Sequence, residues 1–194
     1  DFSAAVKRSR QVSDRLTRGV GFLMKKNGIT VMMGTAKIAT KNKVVVQETS
    51  GNLTELETKN IIIATGSHPS SIPGVNVDGE KILTFQQAIL QEKLPASVVI
   101  IGAGAIGLEF ATLWNAYGSQ VTLVEMLPAI APLEDSEVSA ELAKAFSKRG
   151  AQIHVNTRVK TVETTTTGMK ITIENAEGEQ VLEAEHALMA IGFR

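Results

Sequence analysis

The chain has no cysteine among its 194 residues. That excludes a disulfide framework, a thiolate metal site and a cysteine nucleophile within it, and leaves the compartment open. An excess of charge is missing too: Lys+Arg and Asp+Glu both number 20. The balance removes any electrostatic case for nucleic acid or an acidic membrane as a partner. Long hydrophobic runs are also absent. The longest uncharged apolar stretch, Val98 to Leu108, contains three glycines and is too short to cross a bilayer. What remains is 43% hydrophobic and 21% charged residues, the composition expected of a globular protein in solution. The length allows one ordinary domain, or a small domain plus part of another. No signal peptide is visible, residue 1 is Asp rather than Met, and Arg194 directly follows the strand-like run HALMAIGF. That is the pattern expected of an internal piece of a longer protein.

Periodicity organises the chain. Val12, Leu16, Val20 and Leu23/Met24 recur at helical spacing and predict a helix over residues 4–27, with Lys25, Lys26 and Gly28 suited to its C-terminal end. Strand-like runs follow at Ile29–Met33, Lys43–Glu48, Leu53–Glu57 and Asn60–Ala64, with a hairpin turn at 50–52. The stretch TGSHPSSIPGVNVDGE (65–80) reads as a connector between domains. A helical stretch near 84–92 comes next, then strand 97–101, helix 105–117 and strand 120–125. A second helix is expected over about 136–149, with Asp135 or Ser136 as N-cap, Val138, Leu142 and Phe146 on one face and Gly150 at its end. Five short strands near 151–155, 158–163, 169–174, 180–184 and 187–191 complete the pattern. Strands alternating with helices and then running together predict an α/β fold, a parallel sheet with helices plus a β-meander.

GAGAIG at 102–107 matches G-x-G-x-x-G between a strand and a helix, within one βαβ unit. In such a unit Gly102 permits the tight turn out of the strand. Gly104 lets a pyrophosphate approach the backbone at the helix N-terminus, and Gly107 lets helix and sheet pack closely. Glu125, 18 residues beyond Gly107 at the end of the next strand, is placed to accept hydrogen bonds from the hydroxyls of an adenosine ribose. It would repel a 2′-phosphate, and no arginine lies between 126 and 148 to neutralise one, so NAD is expected over NADP. The bland alternative, a turn with close contacts and no ligand, is outweighed by strand, helix and Glu125 falling in register. For Glu109 the two readings lie closer together, since an acid in the first turns of a helix is favoured by the macrodipole alone. His68, His154 and His186 read as solvated or packed, Trp114 and Tyr117 as packing residues, and the threonines 164–167 as a polar hairpin end.

Three stretches together resemble the FAD-dependent pyridine nucleotide–disulfide oxidoreductases: TKNIIIATGSHPSSIPG (58–74), VVIIGAGAIGLEFATLW…GSQVTLVEMLP (98–128) and HALMAIGFR (186–194). The likeness spans nearly the whole chain and is strongest to the branch that oxidises dihydrolipoamide. It implies a partial FAD-binding domain over 1–74, a Rossmann-like NAD-binding domain over 75–191, and the start of a return into the FAD domain at 192–194. Carried over by position, Gly102, Ala103, Gly104, Ala105, Ile106, Gly107, Leu108 and Glu109 would hold NAD. Glu125 would take its ribose, with Val159 and Gly192 approaching through backbone. Thr65, Gly66 and Ser67 would touch FAD, with Ala36 near its adenine, although the family often has glycine where Ala36 stands. No residue here is expected to be catalytic, because the family's redox disulfide, FAD glycine motif and His–Glu pair fall outside the matched stretch. The chain alone is therefore expected to be silent. The resemblance further implies a homodimeric parent in a bacterial cytoplasm or mitochondrial matrix, serving the lipoyl domain of a 2-oxo-acid dehydrogenase complex. Mercuric, glutathione or transhydrogenase-type reductases and a non-catalytic NAD(H)-binding module are the rivals; an upstream C-x-x-x-x-C would separate the disulfide group from the rest.

Overall fold

A computed structural model describes residues 1–194. The chain divides into two compact units, Ser9–Gly66 on one hand and Asp1–Arg8 with Ser67–Arg194 on the other.

Helix α1 (Phe2–Lys26) begins under a cap: the Asp1 carboxylate accepts from the backbone N–H of Ser3 at 3.0 Å. It ends where Asn27 donates its side-chain amide to the Leu23 carbonyl and Gly28 turns left-handed at φ 66°. The helix is where its periodicity places it, but its apolar stripe is exposed at Leu16, Val20 and Leu23. In the smaller unit the antiparallel strands β1 (Gly34–Thr40), β2 (Lys43–Glu48) and β3 (Leu53–Glu57) form a meander in that order. The strands expected at Ile29–Met33 and Asn60–Ala64 do not form. The tight turn after Thr40 sets Gly34 opposite Glu48, the last residue of β2, so residues 29–33 have no strand to pair with. Residues 60–64 likewise lack a neighbour, and Ile62 stays exposed. Apolar alternation marks extended chain, yet only a partner's N–H and C=O groups make it a strand.

The larger unit is built on a parallel sheet of β4 (Ile82–Leu83), β5 (Ser97–Ile101), β6 (Gln120–Val124), β7 (Gln152–His154) and β11 (His186–Met189), in the order β4-β11-β5-β6-β7. Between these strands run α2 (Phe85–Ala88), α3 (Ala105–Tyr117) and α4 (Ser136–Lys148), and an antiparallel meander of β8 (Arg158–Thr164), β9 (Met169–Asn175) and β10 (Gly178–Ala184). Alternate residues of the sheet feed two cores. Val98, Ile100, Val121 and Leu123 pack with Phe110 and Trp114 of α3 and Phe146 of α4. Val99, Ile101 and Val124 face Val159, Ile171 and Ile173 of the meander. Burial on both faces is why β5 reads as the unbroken run SVVII. On α4 Asp135 is the N-cap, accepting from Glu137 N–H at 2.8 Å, and Phe146 is buried, while Val138 of its expected inner face is exposed. The helix near 84–92 shortens to α2, whose Thr84 and Gln87 form a capping box.

Strand β4 has too few residues to show alternation, and Asp78 aims it. Its carboxylate accepts from the backbone N–H groups of Glu80, Lys81 and Ile82, each at 2.8 Å. Partial burial raises the Asp78 pKa, but these N–H groups together outweigh it and hold the carboxyl below its ordinary range. A folded-state pKa below the unfolded one gives stability that is full above the ordinary value and lost as pH falls through the folded value. Asp78→Ala is therefore expected to cost about 1 kcal/mol at pH 7. Urea midpoints should show that cost shrinking as pH falls below about 4, where Asp78 of the unfolded wild type takes up its proton before the folded one does.

Candidate nucleotide-binding site

The chain runs from β5 outward through α3, β6 and α4 to β7, whereas the strand on the other side of β5 is β11. The sheet's winding thus reverses between β5 and β11, and a crevice opens outside the strands' carboxyl ends at such a point. A cleft of about 820 Å³ lies there. Ile101 and Gly102 line it from the end of β5, Val124 and Glu125 from the end of β6, and Ala190, Ile191 and Gly192 from the chain after β11. The start of α3 forms one wall and residues 157–159 another.

The three glycines are not equivalent. Gly102 lies at φ 100°, and a Cβ there would stand 2.5 Å from the Ala190 carbonyl oxygen across the winding reversal. A Cβ on Gly107 would run into the Gly102 carbonyl oxygen, so helix and turn meet backbone to backbone. Both are required by the protein itself. Gly104 is the N-cap of α3, has ordinary backbone angles, φ −78° and ψ −172°, and a Cβ on it would meet nothing within 4 Å. Neither backbone conformation nor internal packing demands glycine there. As an N-cap without a side chain it leaves the first N–H groups of α3 without a side-chain cap, beside open space that belongs to the cleft.

Glu125 is buried at 8% exposure, yet it is among the residues that line the cleft. One oxygen accepts from Ala103 N–H at 2.8 Å and the other from Leu127 N–H at 2.9 Å. The carboxylate therefore ties the glycine turn to the loop after β6, a role that strand-and-motif reading does not supply. Each oxygen keeps a second lone pair for a ligand hydroxyl. The tie is reinforced where Ala131 N–H donates to the Ala103 carbonyl at 2.8 Å.

Of the eight residues 102–109, Gly102, Gly104, Ala105 and Ile106 line the cleft. Ala103, Gly107 and Leu108 are buried beneath it, and Glu109 is exposed on α3 away from the lining, in the helix's second turn. Val159 is buried at the cleft floor, and Gly192 lies at its rim with φ 95°. Ser67 is exposed just before His68, whose backbone pairs with that of Arg194. Thr65, Gly66 (φ 78°) and Ala36, which sits on β1 opposite Val46, belong to the smaller unit and are exposed. Sequence reasoning missed Arg158, which lines the cleft although it lies outside the segment searched for a cation. Its signal was adjacency to Val159.

The three histidines, Trp114 and Tyr117 stand apart from the cleft, whose one aromatic lining residue is Phe193. His186 is half-buried; burial holds its imidazole below the ordinary range against the pull of Glu185. Trp114 is fully buried with its ring centroid 5.0 Å from that of Phe110, and Tyr117 meets Phe2 edge-to-face at 5.3 Å. Thr165 closes the β8–β9 turn against Gly168.

The profile of the pyridine nucleotide-disulphide oxidoreductases matches residues 2–194. The chain belongs to this family. Its similarity to dihydrolipoyl dehydrogenase of Rhizobium etli is 38% identity over 209 residues, covering 100% of the chain and 44% of that protein. With the mitochondrial dihydrolipoyl dehydrogenase of Pisum sativum it is 37% over 194 residues, 99% and 39%. The chain thus spans less than half the length of these curated relatives. Among solved structures it superposes on LpdA from Mycobacterium tuberculosis with a TM-score of 0.89 at 26% identity, over 100% of this chain and 43% of that one. The fold is shared with the flavoprotein disulfide reductase RclA from Escherichia coli, TM-score 0.82, 23% identity, 100% and 43%. The family is one of oxidoreductases, and the α/β architecture with its parallel sheet is that of these neighbours. No helix is long and apolar enough to cross a membrane.

Proposed function

We propose that the cleft binds NAD(H), and that the chain is the NAD-binding segment, with part of the FAD-binding segment, of a dihydrolipoyl dehydrogenase. The observation that carries the reading is Gly104, a glycine that the protein's own packing does not need, at the mouth of a helix whose first N–H groups lack a cap. In this reading those N–H groups take the diphosphate, stabilised by the positive end of α3. Glu125, held rigid by Ala103 and Leu127, accepts from the adenosine ribose. The backbones of Val159 and Gly192 and the apolar lining from Ile101 to Phe193 exclude water along the rest of the molecule.

Bound FAD would supply the two-electron relay between a dihydrolipoamide-reduced disulfide and the nicotinamide. Thr65, Gly66, Ser67 and Ala36 are the residues proposed to hold part of it. The work of this chain is binding and orientation: rigid backbone fixes where the dinucleotide lies, and no side chain of the cleft moves a proton. A lipoyl domain of a 2-oxo-acid dehydrogenase complex is the partner proposed for the parent protein. Likeness to dihydrolipoyl dehydrogenases from bacteria and a plant mitochondrion supports that choice of branch.

Fluorescence titration of the 194-residue chain with NADH and NADPH tests the reading. Saturable NADH binding, at least about tenfold tighter than NADPH, is expected, since a 2′-phosphate beside Glu125 costs on the order of 1.4 kcal/mol or more. Equal affinities would remove the role given to Glu125, and no binding of either nucleotide would remove the site.

A further inference from the structure

We propose that Arg158 is a second specificity-determining residue of this cleft, a standing cationic site for a 2′-phosphate on the adenosine ribose that Glu125 alone keeps out of use. The inference rests on the dinucleotide reading and concerns how the same site chooses between NAD and NADP.

Arg158 opens β8. The residue before it, Thr157, is buried and donates its N–H to the Glu125 carbonyl at 2.9 Å, so the start of β8 is fastened beside the carboxylate that faces the ribose. The residue after it, Val159, is buried in the core between meander and sheet. Strand alternation therefore turns the Arg158 side chain away from that core; the residue is exposed and is among those that line the cleft.

Its charge is not spent. Arg158 takes part in none of the chain's ion pairs. Its cross-strand partner in register is Glu174, but Lys160 reaches that carboxylate at 3.5 Å and Glu179 at 2.5 Å. Glu125 is the carboxylate of the cleft lining, and both its oxygens already accept backbone N–H groups. An arginine without a carboxylate partner, rooted next to the ribose carboxylate and opening on a nucleotide-sized cavity, is a donor fork suited to a phosphate. Preference for NAD is thus a balance of two opposed charges one strand apart, rather than the absence of any cation for NADP.

The test measures dissociation constants of NADH and NADPH on the whole chain for wild type, Arg158→Ala, Arg158→Lys, Glu125→Gln and the double variant. Arg158→Ala should weaken NADPH by about tenfold and NADH by about twofold or less, the difference between a charge-assisted and a neutral hydrogen bond. Arg158→Lys should recover part of the NADPH loss. Glu125→Gln should tighten NADPH by about tenfold, and the double variant should lose that gain. If Glu125→Gln fails to fold, the two Arg158 variants decide alone. An NADPH-to-NADH ratio that Arg158→Ala leaves unmoved overturns the inference while NADH binding stands. A wild type that binds neither nucleotide overturns the dinucleotide reading and this inference with it.

Discussion

Gly107→Ala is expected to destabilise the larger unit by about 3 kcal/mol, at the upper end of the cost of overpacking, while Gly104→Ala moves stability by less than about 1 kcal/mol. The difference follows from what each new methyl meets. At Gly107 it strikes the Gly102 carbonyl oxygen and comes within 3.2 Å of Ile100 Cγ2. The struck atom is backbone, and Gly102 is itself held by its N–H donating to the Val124 carbonyl at 2.8 Å. Relief therefore requires α3 to lift from β5 or the turn to leave β6. At Gly104 the methyl enters empty space. That space is the proposed diphosphate seat, so Gly104→Ala should weaken NADH by about tenfold or more, equivalent to 1.4 kcal/mol, at a nearly unchanged urea midpoint. A destabilised Gly104→Ala would mean that the glycine serves packing after all. A stable variant that binds NADH as wild type does would remove the diphosphate from this helix start.

Most of the larger unit was legible because its signals are local. The run SVVII, the glycine loop and the helix that follows coincide with β5, the turn and α3, since a strand buried on both faces and a helix start with close backbone contacts admit few other residues. Asp135 and Gly150 marked the ends of α4 for the same reason. Legibility failed where structure depends on a distant partner. Ile29–Met33 and Asn60–Ala64 carry the residues of strands and pair with nothing, whereas Ile82–Leu83 pair with Ala187 and Leu188 more than a hundred residues away. The candidate site divides along the same line. Glycines and Glu125 announce themselves by spacing along one βαβ unit. The anchoring of the Glu125 carboxylate to Ala103 and Leu127, and the arrival of Arg158 from the meander, are products of how separate segments fold together.

Trp114→Ala should be the most destabilising single truncation in the chain, at about 3–5 kcal/mol. The indole is fully buried, lies against Phe110 on the same helix, and belongs to the core that joins α3 to β5, β6 and α4. The hole would be left within a cluster of apolar side chains, which does not favour water, and the one polar atom of the ring, Nε1, is buried without a hydrogen-bond partner. The same orphan donor makes Trp114→Phe informative. Phenylalanine gives up part of the packed volume but also removes a desolvated N–H, and the two effects oppose each other, leaving a net cost of about 1–2 kcal/mol. Chemical denaturation of the three proteins, read at a common m-value, measures the series directly. Binding should follow a different order. Trp114 lies in the last turn of α3, remote from its N-terminus, and the glycine contacts independently fix where that end sits. Trp114→Phe is therefore expected to keep NADH affinity within about threefold of wild type, as separate sites contribute independently. A Trp114→Phe protein that holds its fold yet loses the nucleotide would show instead that the helix start is positioned from its far end, and that the backbone contact between Gly107 and Gly102 is too weak to anchor it.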